Sequence, residues 1–240
     1  MMFAGQGASM MDLWSAWPVS KLLAVLIVTT IAFCLLLVQL RLMHRSVLDL
    51  AQDLPMQSLP GVTPHWLILF LIAALLGGLS VLQFGPTGAA IAAALYSVSL
   101  VSLGLTDHRT GFLPDILTIP LLWAGLLVNL DSGFSDLQNA VLGAVFGYLF
   151  LGAVAWSFLR LTDRQGMGHG DLKLLAAIGA WLGWQALPLV LLVSCMFALL
   201  VEVPRRISGR TASDAQISFG PYLAFAGIFY LLWPVTMQFL

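Results

Sequence analysis

Apolar runs long enough to cross a bilayer follow one another along nearly the whole chain, and that pattern constrains the fold before any motif does. The first extends from Leu22 to Leu40 and is closed by Arg41, His44 and Arg45. The second and third cover about 65–84 and 87–106 and meet at Gly85-Pro86, a dipeptide that marks a tight reversal. The fourth covers about 114–130 and the fifth about 137–159, with DSGFSD between them. The short run LKLLAAIGAWLGW follows Asp171, a further run begins at Ala186, and the last extends from Ser218 to Leu240. Only 9% of residues are charged and the mean hydropathy is +0.97, whereas a soluble domain carries about 25% charged residues. At roughly 20 residues per crossing, eight helices would use about 160 of the 240 residues. The expected fold is all-α: a polytopic integral membrane protein with about eight transmembrane helices.

The distribution of arginine tests that count. With the N-terminus outside, the loops at 41–63, 107–113, 160–171 and 204–217 share one face. They hold Arg41, Arg45, Arg109, Arg160, Arg164, Arg205, Arg206 and Arg210. Only Lys21 falls on the far side, where the loops carry Asp131 and Asp136. Cytoplasmic loops carry the excess of Lys and Arg, so that face is expected to be cytoplasmic, with both termini outside. Reading 172–202 as one long span would move the Arg205–Arg210 loop outside and spoil the segregation.

Other classes recede on the same evidence. The formal net charge is −1, and no basic tail or stripe points to nucleic acid. Cys34 and Cys195 both lie within apolar runs and form no C-x-x-C pair, which argues against a disulfide framework or a structural zinc site. The N-terminal segment has no basic n-region, and the run after Lys21 lacks an A-x-A exit. It reads as an anchor rather than a cleaved signal. The eight tryptophans and both cysteines are expected to face lipid or the interface.

Carboxylates at a membrane boundary are costly, and each invites a functional reading. Asp107 ends the third run within LTDHRTGFLPDILTIP, and Asp171 opens the sixth within GMGHGDLKLLAAIGAWLGW. The fourth span leaves that face and the fifth returns to it, so both aspartates belong to one membrane face. Two facing carboxylates can hydrolyse a peptide without a metal or a covalent nucleophile. One, ionised, takes a proton from water, and the other, protonated, polarises the scissile carbonyl. Such a pair shares a proton, and its titrations belong to the pair rather than to either residue. Gly166, Gly168 and Gly170 leave the backbone beside Asp171 unencumbered for a substrate strand. A helix dipole at Asp171 favours its ionised form and makes it the marginally better base.

Plainer readings compete. Asp107 can be a helix-end residue near Arg109, and Asp171 a helix N-cap. Asp115, after Pro114, reads as a helix-start residue stabilised by the dipole. His108 and His169 could complete a two-His, two-Asp metal site, although histidines at interfaces are more often simply solvated. Lys173 reads as a snorkelling interfacial residue or a charge partner for Asp171.

Taken together, Asp107 followed seven residues later by Pro114-Asp115, then GMGHGDLKLLAAIGAWLGWQALP from Gly166 and FGPYLAFAG from Phe219, resemble the type IV prepilin peptidases, membrane aspartic peptidases with a GxGD signature. The resemblance extends from about residue 66 to the end. It implies that 64–240 form a membrane aspartic peptidase core, preceded by an N-terminal segment, one transmembrane helix and a short cytoplasmic loop in 1–63. It also implies a multi-pass protein of the bacterial cytoplasmic (inner) membrane that cleaves prepilins or pseudopilins on the cytoplasmic side, after the glycine ending a basic leader. The implied catalytic pair is Asp107 and Asp171. Gly168 and Gly170 are the signature glycines, and Pro114, Asp115 and Lys173 support the motif or the substrate.

One departure bears on cofactors. Longer members of the resembled family carry two C-x-x-C pairs, thought to bind zinc, in a larger first cytoplasmic loop, and many also methylate the new N-terminus with S-adenosylmethionine. Here that loop has about twenty residues and no cysteine. The expectation is a shortened member with no cofactor and no metal, S-adenosylmethionine entering only if methylation is retained. The rival readings are a presenilin-type intramembrane protease, an ion- or proton-coupled transporter, and an inactive scaffold in a pilus or secretion assembly. Presenilin-type sites place the first aspartate within a span, and transporter sites lie near the midplane, whereas Asp107 and Asp171 lie at span ends.

Overall fold

The computed structural model describes residues 19–52, 66–163, 168–208 and 218–233, and within them the chain is helical and has no strand. Eight α-helices follow in order among these residues: α1 Val19–Gln52, α2 Trp66–Phe84, α3 Gly88–Thr110, α4 Asp115–Val128, α5 Leu137–Thr162, α6 His169–Leu182, α7 Leu187–Ile207 and α8 Gly220–Leu232. Single 3-10 turns lie at Asn129–Asp131 and Trp184–Ala186. The boundary expected between residues 63 and 64 lies outside the described residues. So do Arg164, Gly166, Arg210 and the end of the last apolar run.

The breaks fall where the sequence places them. Gly85, at φ +69°, accepts a hydrogen bond from the Thr87 amide and turns α2 into α3. Gly111, at φ +65°, caps α3 through its amide on the Asp107 carbonyl, and Pro114 opens α4. Gly183, at φ +82°, ends α6 and separates it from α7, so 172–202 is two helices.

Length distinguishes the helices. Five stretches are long and apolar enough to cross a membrane: Lys21–Leu42, Leu67–Phe84, Gly88–Thr110, Leu137–Thr162 and Trp184–Ile207. α4 and α6 have 14 residues each, about 21 Å of helix against a hydrocarbon core of about 30 Å. The fold is all-helical as expected; among the described residues length supports five crossings, and the count of eight is not confirmed. Leu71, Leu127 and Leu161 lead a long series of exposed large apolar side chains. Such a surface would aggregate in water and is matched to lipid. The chain is a multi-pass membrane protein.

Two packed clusters meet along α3. Val28, Leu36, Ala73, Leu76, Ala94 and Val98 join α1, α2 and α3. A larger cluster surrounds α6, drawing on Tyr96, Leu100 and Leu103 of α3, Leu121 of α4, Leu151 of α5 and Leu223 of α8. From Leu174 to Leu182 every residue of α6 is buried. Lipid tails are as apolar as leucine, so helices in a membrane associate through close packing and interhelical hydrogen bonds. Here α5 presents Gly143 and Gly147 to α6. A Cβ on Gly143 would collide with the Gly179 backbone, and one on Gly147 would lie 2.8 Å from the Leu175 carbonyl oxygen.

Polar side chains fix the other joints. Asn129 Nδ2 donates to the carbonyls of Ala180 and Trp181 at 2.9 Å each, and its Oδ1 accepts from the amides of Phe134 and Ser135. This single buried amide joins the α4–α5 connection to the end of α6. The Trp181 indole packs on Gly125 and donates to the Leu121 carbonyl at 2.8 Å. Trp181 is fully buried, against the expectation that the tryptophans face lipid; Trp123 and Trp156 do lie exposed.

Two outcomes follow from these joints. Gly143→Leu should destabilise the folded chain in detergent by about 1–3 kcal/mol, the usual cost of overpacking a tight contact, read as a lower thermal midpoint by circular dichroism. Asn129→Asp removes the donor facing two carbonyls and should cost at least about 1–3 kcal/mol in the same measurement.

Candidate active site

Asp107 lies on the last turn of α3 and Asp171 in the first turn of α6, each with only 5% of its surface exposed. The α4–α5 pair leaves this end of the bundle and returns to it, so the two aspartates line one cavity of about 360 Å³. They lie close enough for the Asp107 charge to act on Asp171. The sequence places both at one face, and the structure brings them into one cavity.

The competing reading of Asp171 as a helix N-cap does not hold. Gly168 occupies the N-cap position of α6, and Asp171 is the third residue of the helix. Its amide donates to the Gly168 carbonyl at 3.2 Å. Its carboxyl turns inward, and its Oδ1 is buried without a hydrogen-bond partner. Asp107 is instead held by two donors: the Ser218 hydroxyl and the Gly220 amide, the latter at 3.0 Å, both on Oδ2.

The partner of Lys173 is also corrected. Its Nζ lies 2.7 and 2.8 Å from the two carboxylate oxygens of Asp115, not at Asp171. Asp115 opens α4 immediately after the N-cap Pro114 and takes the helix-start place expected for it. The pair bridges α4 and α6 at the mouth of the cavity, with side chains 35% and 52% exposed. Pro114 presents its carbonyl to the Thr118 hydroxyl at 2.7 Å, closing the first turn of α4.

The two signature glycines differ in surroundings. A Cβ on Gly170 would lie 2.7 Å from the Leu113 Cβ, so this position lets α6 close against the α3–α4 loop. At Gly168 the nearest such atom is Asp171 Oδ2 at 3.9 Å, and the backbone stays open toward the carboxyl. Gly166 lies outside the described residues. His169 lines the cavity, and His108 is the residue after Asp107. Among the described residues no group of three His, Cys, Asp or Glu side chains is placed to hold a metal.

Ser218 and Gly220 had no assigned role at the level of sequence, although FGPYLAFAG was noted as a motif. They come to Asp107 from 111 and 113 residues away. A Cβ on Gly220 would lie 2.5 Å from Asp107 Oδ2, so only glycine permits this approach of α8. Further along α8, the Tyr222 hydroxyl donates to Glu202 Oε1 at 2.7 Å, and Arg205 reaches the same oxygen at 3.3 Å. That cluster ties the start of α8 to the end of α7. A signal for Ser218 was present only as a polar residue before a glycine at the edge of an apolar run.

Comparison with known proteins agrees with this geometry. Residues 94–203 match the Type IV leader peptidase family. The chain is 50% identical over 144 residues to a prepilin leader peptidase/N-methyltransferase of Burkholderia pseudomallei, covering 60% of this chain and 47% of that protein. It is 45% identical over 172 residues to one of Aeromonas hydrophila, covering 72% and 59%. With one of Pseudomonas aeruginosa it shares 45% over 163 residues, covering 68% and 56%. The chain thus spans about half to three fifths of the length of these relatives. No solved structure matches it. The match and the site coincide: residues 94–203, which match the Type IV leader peptidase family, hold both buried aspartates.

Proposed function

We propose that this protein is a membrane aspartic endopeptidase that removes the basic leader from type IV prepilins or pseudopilins by cutting after a glycine. The observation that carries the reading is the burial of Asp107 and Asp171 in one cavity at one end of the bundle. The relatives named prepilin leader peptidase/N-methyltransferase supply the substrate class.

In this reaction one aspartate is ionised and takes a proton from a water molecule as its oxygen attacks the scissile carbonyl carbon. The other donates its proton to the carbonyl oxygen. The tetrahedral diol then collapses: one hydroxyl returns its proton to the second aspartate as the carbon–nitrogen bond breaks, and the proton first taken from water goes to the departing amine. The leader leaves with a new carboxylate and the mature chain with a new amino terminus. No metal or cofactor enters these steps. Gly168 gives the substrate backbone room beside Asp171, and the Lys173–Asp115 pair bounds the entrance to the cavity.

The arginine-rich loops support a cytoplasmic active site, and the multi-pass fold and family support the bacterial inner membrane. Partners in this reading are the prepilin and the lipid bilayer. The short, cysteine-free first loop favours peptidase activity without zinc and leaves methylation to be measured on the product.

Cleavage of a prepilin in membranes containing this protein, beside Asp107→Asn and Asp171→Asn, tests the reading. Each substitution should lower the rate by at least about 10²–10⁴-fold without loss of folded protein. Mass spectrometry of the product reads both the cut site and N-methylation. An ion flux altered by the same substitutions, with prepilins uncut by wild type, would move the assignment to a transporter. Lys173→Met should cost less than about 1 kcal/mol of stability, because a half-exposed ion pair contributes little, and a thermal melt checks it.

A further inference from the structure

Two buried carboxylates that share one proton need not share it equally, and the protein's donors are distributed very unequally between them. Asp107 Oδ2 receives the Ser218 hydroxyl and the Gly220 amide. Asp171 Oδ1 is buried with no hydrogen-bond partner. Hydrogen bonds donated to a carboxylate favour its charged form. A buried carboxylate oxygen with no donor is costly when ionised, whereas a protonated carboxyl can itself donate.

We infer that Ser218 is a positioning residue that, together with the Gly220 amide, keeps Asp107 as the ionised base and leaves the shared proton on Asp171, which acts as the acid. The inference rests on the peptidase reading and assigns the two roles within it. It reverses the order expected from the helix dipole at Asp171. The dipole acts diffusely over the first turn of α6, whereas two donors touch the Asp107 carboxylate directly.

The surrounding charges do not undo this asymmetry. His108 is the residue next to Asp107 on α3. From α6, Lys173 is committed to Asp115 at the cavity mouth. Burial and the Asp107 charge both push the Asp171 carboxyl up toward its protonated form, against a smaller opposing hydrogen bond from the Gly168 backbone. Ser218, just before α8, and Gly220, its first residue, adjoin the tie from Tyr222 to Glu202 on α7, which Arg205 also contacts.

With these roles, Asp107 Oδ1 is the oxygen left to take the proton of the attacking water. The Asp171 carboxyl gives its proton to the scissile carbonyl oxygen. Ser218 keeps its own proton throughout and touches no reacting atom.

The test labels the aspartate carboxyl carbons of the full chain with carbon-13 in lipid nanodiscs. The signals of Asp107 and Asp171 are identified by their loss in D107N and D171N, and both are followed through a pH titration. Asp107 should lose its proton before Asp171. In Ser218→Ala the separation between the two should shrink by about one to two pH units, the scale of one hydrogen bond to a charged group. Ser218→Thr should restore it. Asp171 ionising first in the wild type overturns the inference, and so does a separation unchanged in Ser218→Ala. If Ser218→Ala does not fold, the order in the wild type decides alone. Prepilin cleavage measured on the same preparations separates the two claims: a wild type that cuts nothing defeats the peptidase reading, while the titration still decides the role of Ser218.

Discussion

Placing two carboxylates side by side, each almost wholly removed from solvent, is the constraint from which the rest of the structure follows. Such a pair is unstable unless the surrounding helices hold it and supply donors. Three helix ends do so. The last turn of α3 carries Asp107, the first turn of α6 carries Asp171, and the start of α8 brings a hydroxyl and an amide to Asp107. Each approach depends on an absent side chain: Gly220 under the Asp107 carboxyl, Gly170 against Leu113, and Gly143 against Gly179 where α5 seats α6. Even the distant Asn129 serves the site, because it anchors the far end of the helix whose near end presents Asp171.

The shortness of α6 follows from the same requirement. A helix that faces lipid must be long enough to keep its termini out of hydrocarbon. α6 is packed against α4, α5 and α8 instead, and most of its 14 residues are buried in protein. Its ends meet polar partners inside the molecule: Gly168 and the cavity at one end, Asn129 at the other. It therefore has no need to match the bilayer, and its N-terminus can stop at the depth that suits the aspartate. Hydropathy alone cannot separate such a helix from a lipid-facing one, because leucine and alanine suit both surroundings. That is why the count of apolar runs exceeds the number of helices long enough to cross among the described residues.

What was legible in the sequence was local. Gly85-Pro86, Gly111 with Pro114, and Gly183 announce breaks through backbone chemistry that needs no distant partner. Alternation of spans then brings Asp107 and Asp171 to one end by parity, whatever the packing. Side-chain partners were not legible. Lys173 stands two residues from Asp171, yet its ammonium pairs with Asp115 on α4, because helix direction points residues two apart to different faces. Trp181 resembles any interfacial tryptophan until Gly125 on another helix opens the slot it fills. Ser218 and Gly220 lie 111 and 113 residues from Asp107, and nothing near them in sequence names the acid they serve.

The position of the cavity also bears on which chemistry it can support. Hydrolysis consumes a water molecule at every turnover, so a peptidase site must exchange with water while keeping its carboxylates in low dielectric. Burial among helices isolates the acids from bulk solvent, whereas a loop site would hydrate them and weaken the difference between base and acid. The end of a helix bundle meets both demands. Asp107 and Asp171 are buried, while the Lys173–Asp115 pair a short way outward is about half-exposed and marks a polar mouth. A peptide that is extended at its cut site and apolar beyond it can reach such a mouth from the aqueous side without leaving the bilayer. Under the proposed peptidase reading, the helix-end placement of the two aspartates suits cutting at the membrane edge, whereas ion sites lie near the midplane.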